Sequence, residues 1–389
     1  MFILKDVELG LYVHIPFCKS KCPYCDFFSL TRLPEENLYL KALLKEIKLL
    51  KGFLEEKFNI SHIFIKTFYA GGGTPTLLSP HFYEKLFYGI SKYFYFNPEE
   101  LTIEANPETL TLEKTIAYRE VGFNRISLGV QTFQEKGLRF LQRAHTRKDI
   151  LLSLEYIVKA NFNNFSLDLI YGWQAQGIKT LEKDLEMLLN YQPPHLSFYE
   201  LTLYPGTPLH KKYQGKAPFL KEKRLIKLAK FIRNFLKENQ YIQYEISNYA
   251  KKGLECKHNL IYWKVEPYLG VGAGAVSRIG YLRFQNEENL DLYYHKLLKV
   301  KQFCFKILEN LDNLELAKEK LFMGLRLTEG FNFTELEKLN VRINEKALEI
   351  MLEEGFIEIC EGKIHLTEKG SFLHNQVVKF LWEALERLK

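Results

Sequence analysis

Six short apolar runs punctuate the first half of the chain, at Leu11–Ile15, Ile63–Tyr69, Leu101–Ala105, Arg125–Val130, Phe165–Ile170 and Leu196–Leu201. Each has the length of a buried strand and is followed by small or turn-forming residues. Between most of them apolar residues recur at helical spacing, over Glu35–Lys57, Pro80–Tyr95, Leu112–Val121, Lys148–Ala160 and Thr180–Asn190. Strands alternating with helices form βαβ units, because parallel neighbours require a crossover. The pattern predicts an α/β fold with a parallel sheet. It suits a (β/α) barrel of about six units, incomplete rather than closed, with a doubly wound sheet as the alternative.

From Leu220 the pattern changes. A Lys-rich helix is expected over Leu220–Glu238, then Tyr241–Tyr249, a mixed segment with Cys256-Lys257-His258-Asn259-Leu260-Ile261-Tyr262-Trp263, and the Gly-rich run Leu269–Gly274. Beyond it, apolar helices and a hairpin over Phe356–Leu366 around Glu361-Gly362 suggest a small winged-helix-like module. The expected division is a barrel core over 1–219, a mixed extension over 220–309 and a C-terminal module over 310–389.

Composition narrows the class only a little. The 389 residues are 47% hydrophobic and 26% charged, which excludes wholesale disorder. No apolar run reaches the length of a membrane span, although peripheral membrane contact stays open. The opening Met1-Phe2-Ile3-Leu4-Lys5-Asp6 lacks the basic start and apolar stretch of a secretory leader, so a cytoplasmic protein is expected. The net charge of +7 comes mostly from Lys spread over helices, a solvated surface as readily as a nucleic-acid face. Nucleic acid is not expected as a partner.

The chemistry gathers at one end of the strands, where α/β folds bind ligands. Three of the six Cys, Cys18, Cys22 and Cys25, follow the first strand. Gly71-Gly72-Gly73-Thr74-Pro75 ends the second, Glu104 and Asn106-Pro107 the third, Gln131 the fourth, and Asp168 with Tyr171-Gly172 the fifth. The C-x₃-C-x₂-C spacing suits three thiolates around a [4Fe–4S] cube, leaving one iron open. A zinc knuckle, a redox pair or unrelated buried thiols are the rival readings. Zinc prefers four ligands, and no second Cys/His pair with finger spacing follows.

These residues, from Tyr12 through the Cys loop to the His258–Trp263 segment and the C-terminal module, carry a resemblance over nearly the whole chain. The sequence resembles the radical S-adenosylmethionine enzymes of the oxygen-independent coproporphyrinogen III oxidase group, and within it most of all the HemW heme-chaperone branch. The resemblance implies a radical S-adenosylmethionine barrel in which Cys18, Cys22 and Cys25 hold the cluster. It implies that Tyr12, Tyr24, Gly72, Gly73, Thr74, Glu104, Gln131, Arg143 and Asp168 meet S-adenosylmethionine. Glycines allow close backbone approach, carboxylates accept from the ligand's ammonium and ribose hydroxyls, and an Arg pairs with its carboxylate. Helix caps or surface pairs are the plain alternative for Glu104 and Asp168. Packing is the alternative for Tyr12, and Arg143 is expected on a helical segment.

Two features favour heme carriage over decarboxylation of coproporphyrinogen III, the alternative activity. Decarboxylases of the group carry a further Cys two residues after the third ligand, where this chain has Phe27. The chain also starts 17 residues before Cys18, without the extension that covers the porphyrinogen substrate. The HNxxYW segment matches the motif of the chaperone branch, making His258 a candidate heme ligand, with a hydrogen-bonded core His as the alternative. Heme as cargo, an electron donor and a heme-acceptor protein are the implied partners. Gly172-Trp173-Gln174-Ala175-Gln176 and Val276 depart from the group's pattern.

Overall fold

The computed structural model describes residues 6–388. Residues 1–5, on which most of the N-terminal expectation rests, and residue 389 lie outside them. All six predicted strands form: β1 (Asp6–Ile15), β2 (His62–Gly72), β3 (Tyr95–Ala105), β4 (Arg125–Gln131), β5 (Asn164–Tyr171) and β6 (His195–Glu200). They pair in parallel, in chain order. Helices α1 (Glu36–Phe58), α2 (Pro80–Ile90), α3 (Leu112–Val121), α4 (Glu135–Phe140), α5 (Arg147–Lys159) and α6 (Ile178–Leu189) make the crossovers. Strands laid down in strict order by crossovers of one hand put every helix on the same face. This is barrel winding, not a doubly wound sheet.

The barrel does not close. After α7 (Pro208–Tyr213) and α8 (Glu222–Glu238), the short strand β8 (Asn248–Ala250) adds antiparallel to β6, and β7 (Ile242–Gln243) pairs antiparallel to β8 at the edge. Helix α9 (Lys257–Trp263) follows, and β9 (Tyr268–Val271) then pairs parallel to β1 on its free side. Strands β10 (Val276–Ile279), β11 (Leu282–Asn286) and β12 (Phe305–Asn310) extend that edge. The Gly-rich run is therefore largely a strand and the turn after it. At Gly270 a Cβ would lie 2.1 Å from the Val276 carbonyl oxygen, so only glycine fits.

Two boundaries differ from the periodicity. The predicted helix over Pro80–Tyr95 stops at Ile90, and Tyr95 already belongs to β3. Pro98 masks this early start, because it cannot donate to a ladder. Here β3 pairs with β2 alone, in irregular register, and β4 joins only at Thr102.

The strands alternate cleanly between two faces. Leu9, Leu11, Val13 and Ile15 of β1 and Ile126, Leu128 and Val130 of β4 share one apolar core with Leu43, Ile47 and Leu50 of α1. Leu228 of α8, Leu269 of β9 and Phe284 of β11 belong to the same core. The opposite face is polar, with Tyr12, His14, Thr67, Tyr69, Glu100, Glu104, Arg125, Ser127, Ser166 and Asp168. A second apolar core joins the helices Asn313–Gly324, Glu345–Glu353 and His374–Glu383 to the hairpin Ile357–Cys360/Lys363–Leu366, the expected winged module. Ion pairs Arg326–Glu245 at 2.8 Å and Arg278–Glu319 at 3.2 Å tie it to the sheet. Among the described residues no helix is long and apolar enough to cross a membrane.

Candidate cluster and cofactor site

The Cys loop leaves β1 without regular structure and is pinned from both sides. The Cys18 amide donates to the Leu30 carbonyl at 2.9 Å, and the Leu30 amide returns to Pro16 at 2.6 Å. The Gly73 and Thr74 amides reach across from the end of β2 to the Ile15 and Phe17 carbonyls, at 2.8 and 2.7 Å. The glycines have a steric reason. A Cβ on Gly73 would sit 2.6 Å from the Phe17 oxygen, 2.7 Å from the Ile15 oxygen and 3.0 Å from Cys18 Sγ. Gly72 has φ +108°, and a Cβ there would strike the His14 ring at 2.4 Å. Gly73→Ala is therefore expected to lower the iron recovered on reconstitution, while Gly177→Ala, at a residue with open space around it, leaves iron content at the wild-type level.

A hydrogen-bonded arc links two of the thiols. Thr74 Oγ1 donates to Cys18 Sγ at 3.8 Å and accepts from Asn106 Nδ2 at 2.9 Å. Asn106 Oδ1 accepts from one Arg143 amino group at 2.5 Å, and the other donates to Cys22 Sγ at 3.2 Å. Tyr24 lies beside Arg143 and Cys22, and burial drives its pKa up. Arg143 does not lie on a helix. Residue Gln142, at φ +51°, ends the turn after α4 and swings Arg143 back over the Cys loop. Its Nε is buried and finds no acceptor among the described residues. Burial also raises the Cys18 and Cys25 thiols, so thiolate ligation there needs compensating positive charge. Among the described residues no three His, Cys, Asp or Glu side chains converge as ligands of a single ion. Three soft donors on one loop, with no fourth, and an orphaned guanidinium N–H suit a cluster with an open iron beside a carboxylate-bearing ligand.

The strand ends carry a second, adjoining group. Glu104 accepts from Tyr69 Oη at 2.9 Å and from the Gly72 amide at 3.1 Å. Burial, with the nearby Asp168 charge, pushes its pKa up to about 7 against those hydrogen bonds. Asp168 accepts from Ser127 at 2.8 Å and Ser166 at 2.9 Å. These carboxylates face inward and cap no helix. Tyr12 donates to His14 Nδ1 at 2.9 Å, while His14 Nε2 donates to the Phe28 carbonyl at 2.8 Å; burial lowers that imidazole to about 4. Gln131, at φ +65°, folds its amide back beside Gly129, whose Cβ would meet Gln131 Nε2 and Asn106 Oδ1.

His258 stands apart, deeper toward the amino ends of the strands. Its ring is fully buried. Thr67 Oγ1 lies 2.7 Å from Nδ1 and Tyr262 Oη 2.9 Å from Nε2, and burial lowers its pKa to about 3. Neither nitrogen is open to an iron in this arrangement, and the packed, hydrogen-bonded alternative describes its surroundings. The departure at Gly172–Gln176 is absorbed locally: Trp173 is buried, and Arg224 donates to the Gly172, Trp173 and Gln176 carbonyls.

Residues 12–188 match the radical SAM superfamily, and residues 311–373 match the HemN C-terminal domain. The heme chaperone HemW of Buchnera aphidicola subsp. Schizaphis graminum is 34% identical, over 97% of this chain and 99% of its own. The chain belongs to the HemW family. HemW of Bacillus subtilis is likewise 34% identical, over 94% of this chain and 97% of its own. The solved coproporphyrinogen III oxidase HemN of Escherichia coli, described as a radical SAM enzyme, superposes with a TM-score of 0.82, covering 97% of this chain and 91% of its own, at 22% identity. That likeness is one of fold. Membership of the radical SAM superfamily implies a [4Fe–4S] cluster and S-adenosylmethionine as cofactors.

Several members of the inner face are absent from the sequence-level site: Tyr69, Thr67, His14, Ser127, Glu100 and Arg125. The signal was present as a strict two-residue alternation, as in Leu11-Tyr12-Val13-His14-Ile15, in strands that read as uniformly buried.

Proposed function

We propose that this chain binds heme and passes it to an acceptor protein, on a scaffold that holds a [4Fe–4S] cluster and S-adenosylmethionine. The single observation that carries the proposal is the full-length similarity to heme chaperones, with Phe27 at the position that bears a thiol in the decarboxylases it resembles. Phe27 is 68% exposed, an apolar ring at the rim of the Cys loop. Exposed Lys19 and Lys21 on the same loop supply cations for the two carboxylates of a porphyrin. His258 is not given the role of axial ligand, because both its ring nitrogens are engaged.

Cys18, Cys22 and Cys25 are the ligands we assign to the cluster. Arg143, Glu104 and Asp168, with Tyr12, Tyr24, Gly72, Gly73, Thr74 and Gln131 around them, are those we assign to S-adenosylmethionine. When bound, the cluster supplies an electron and an open iron to the sulfonium ligand. The chain's own part is to orient that ligand, with Arg143 toward its carboxylate and Glu104 and Asp168 toward its ammonium and ribose hydroxyls. Free thiols suit a reducing compartment such as the cytoplasm, where a reductant for the cluster is at hand. Heme titration tests the proposal: a saturable Soret band is expected, with affinity lowered in Phe27→Ala. Absorbance that rises without saturation would overturn it.

A further inference from the structure

Helix α9 carries the HNxxYW segment, yet it is built into the barrel as a wedge. Its first turn is seated on Glu100, whose buried carboxylate accepts from the Lys257 and His258 amides, each at 3.0 Å, and from the Cys256 thiol at 3.4 Å. A Cβ on Gly10 of β1 would come within 2.8 Å of Ile261 and 3.1 Å of the His258 ring, so β1 gives way to α9 there. Trp263 turns outward, where the Arg326 guanidinium of the C-terminal module lies 4.4 Å over its ring.

Inside, His258 stacks on Tyr69, with centroids 5.1 Å apart and planes 27° apart. Tyr12 stacks on Tyr69 as well, at 6.2 Å and 29°. Thr67 and Tyr262 fix the imidazole by its two nitrogens. Among the described residues the Tyr69 hydroxyl makes one hydrogen bond, donation to Glu104 at 2.9 Å. We propose that Tyr69 and His258 are positioning residues for Glu104: α9 holds the Tyr69 ring, and Tyr69 holds the carboxylate that receives S-adenosylmethionine. The HNxxYW segment then serves the cofactor site and not the cargo. This rests on the assignment of Glu104 to S-adenosylmethionine.

The charge of Glu104 provides a readout that plain loss of packing would not move. Facing it are Tyr12, Tyr69, Tyr83, Tyr199 and Tyr262, which burial keeps neutral, and the charged Arg125 and Asp168. Burial raises Glu104 and the Tyr69 hydrogen bond opposes that rise. Removing the hydroxyl therefore raises the carboxyl further, leaving more of it protonated at neutral pH. Raising the pH returns the charge.

The test is S-adenosylmethionine binding by equilibrium dialysis to the anaerobically reconstituted full chain, at pH 7 and pH 9, each variant expressed relative to wild type. Glu104→Gln is expected to weaken binding roughly 10–150-fold, the worth of a charge-assisted hydrogen bond. Tyr69→Phe and His258→Ala should each weaken it about tenfold at pH 7, the low end of that range. The Tyr69→Phe deficit should shrink at pH 9. His258→Gln, whose amide can bridge Thr67 and Tyr262, should recover most of the loss. Iron content and heme binding should stay at wild-type level in all four. Wild-type binding in Glu104→Gln would overturn the assignment of Glu104 itself. Weak binding in Glu104→Gln beside wild-type binding in Tyr69→Phe and His258→Ala would overturn the positioning role alone. Loss of heme with intact S-adenosylmethionine binding in the His258 variants would overturn it in favour of a cargo role. Should His258→Ala not fold, Tyr69→Phe, which lacks one hydroxyl, decides.

Discussion

Replacing any one of Cys18, Cys22 or Cys25 by Ser is expected to abolish cluster assembly, taking reconstituted iron from about four per chain to near none. The loop offers three soft donors and no substitute. The remaining thiols, Cys256, Cys304 and Cys360, lie far along the chain, and Cys256 is sealed in the interior against Glu100. A Ser hydroxyl in place of any of these thiols does not ionise at neutral pH and is a poor ligand for iron. Iron and sulfide analysis with visible absorbance after anaerobic reconstitution reads the result. Arg143→Ala should be milder. It removes the cation donating to Cys22 Sγ and the link to Asn106, but leaves all three ligands in place.

Glu100→Ala is expected to be the most damaging substitution for stability. The carboxylate is 3% exposed, seats the first turn of α9 and lies within the field of Arg125, itself 1% exposed. Its removal leaves two amides and a thiol without an acceptor and a buried guanidinium without its carboxylate neighbour. Leaving a buried donor without its acceptor costs about 1–3 kcal/mol, and Glu100 accepts from the Cys256 thiol and the Lys257 and His258 amides. Urea unfolding should show that drop. Glu100→Gln keeps one acceptor oxygen and the shape, and should lose markedly less. Equal loss in both would mean that the site needs the charge and not the seat.

Much of this was legible in the chain. The six strands, their helical crossovers and the gathering of Cys18, Gly73, Glu104 and Asp168 at one end all follow from period and turn residues. The edges were not. β7 and β9 are two and four residues long, too short for any alternation to register, and the close approach of β10 to β9 rests on Gly270, which leaves room for the Val276 backbone. Arg143 was misplaced because the helical spacing around Leu138 and Leu141 runs past the left-handed turn at Gln142. The surroundings of His258 were hidden for a different reason. A motif tells which residues stand together, whereas the direction of its helix is set by Glu100, more than 150 positions earlier.

On the function proposed above, this scaffold carries heme and does not decarboxylate a porphyrinogen. The most direct measurement is a parallel anaerobic incubation of the reconstituted full chain with S-adenosylmethionine and a reductant, one arm receiving heme and the other coproporphyrinogen III. A saturable Soret band is expected in the first arm, and in the second a porphyrinogen that keeps all its propionate side chains by mass. Appreciable loss of carbon dioxide from coproporphyrinogen III, with no saturable heme binding, would contradict that function.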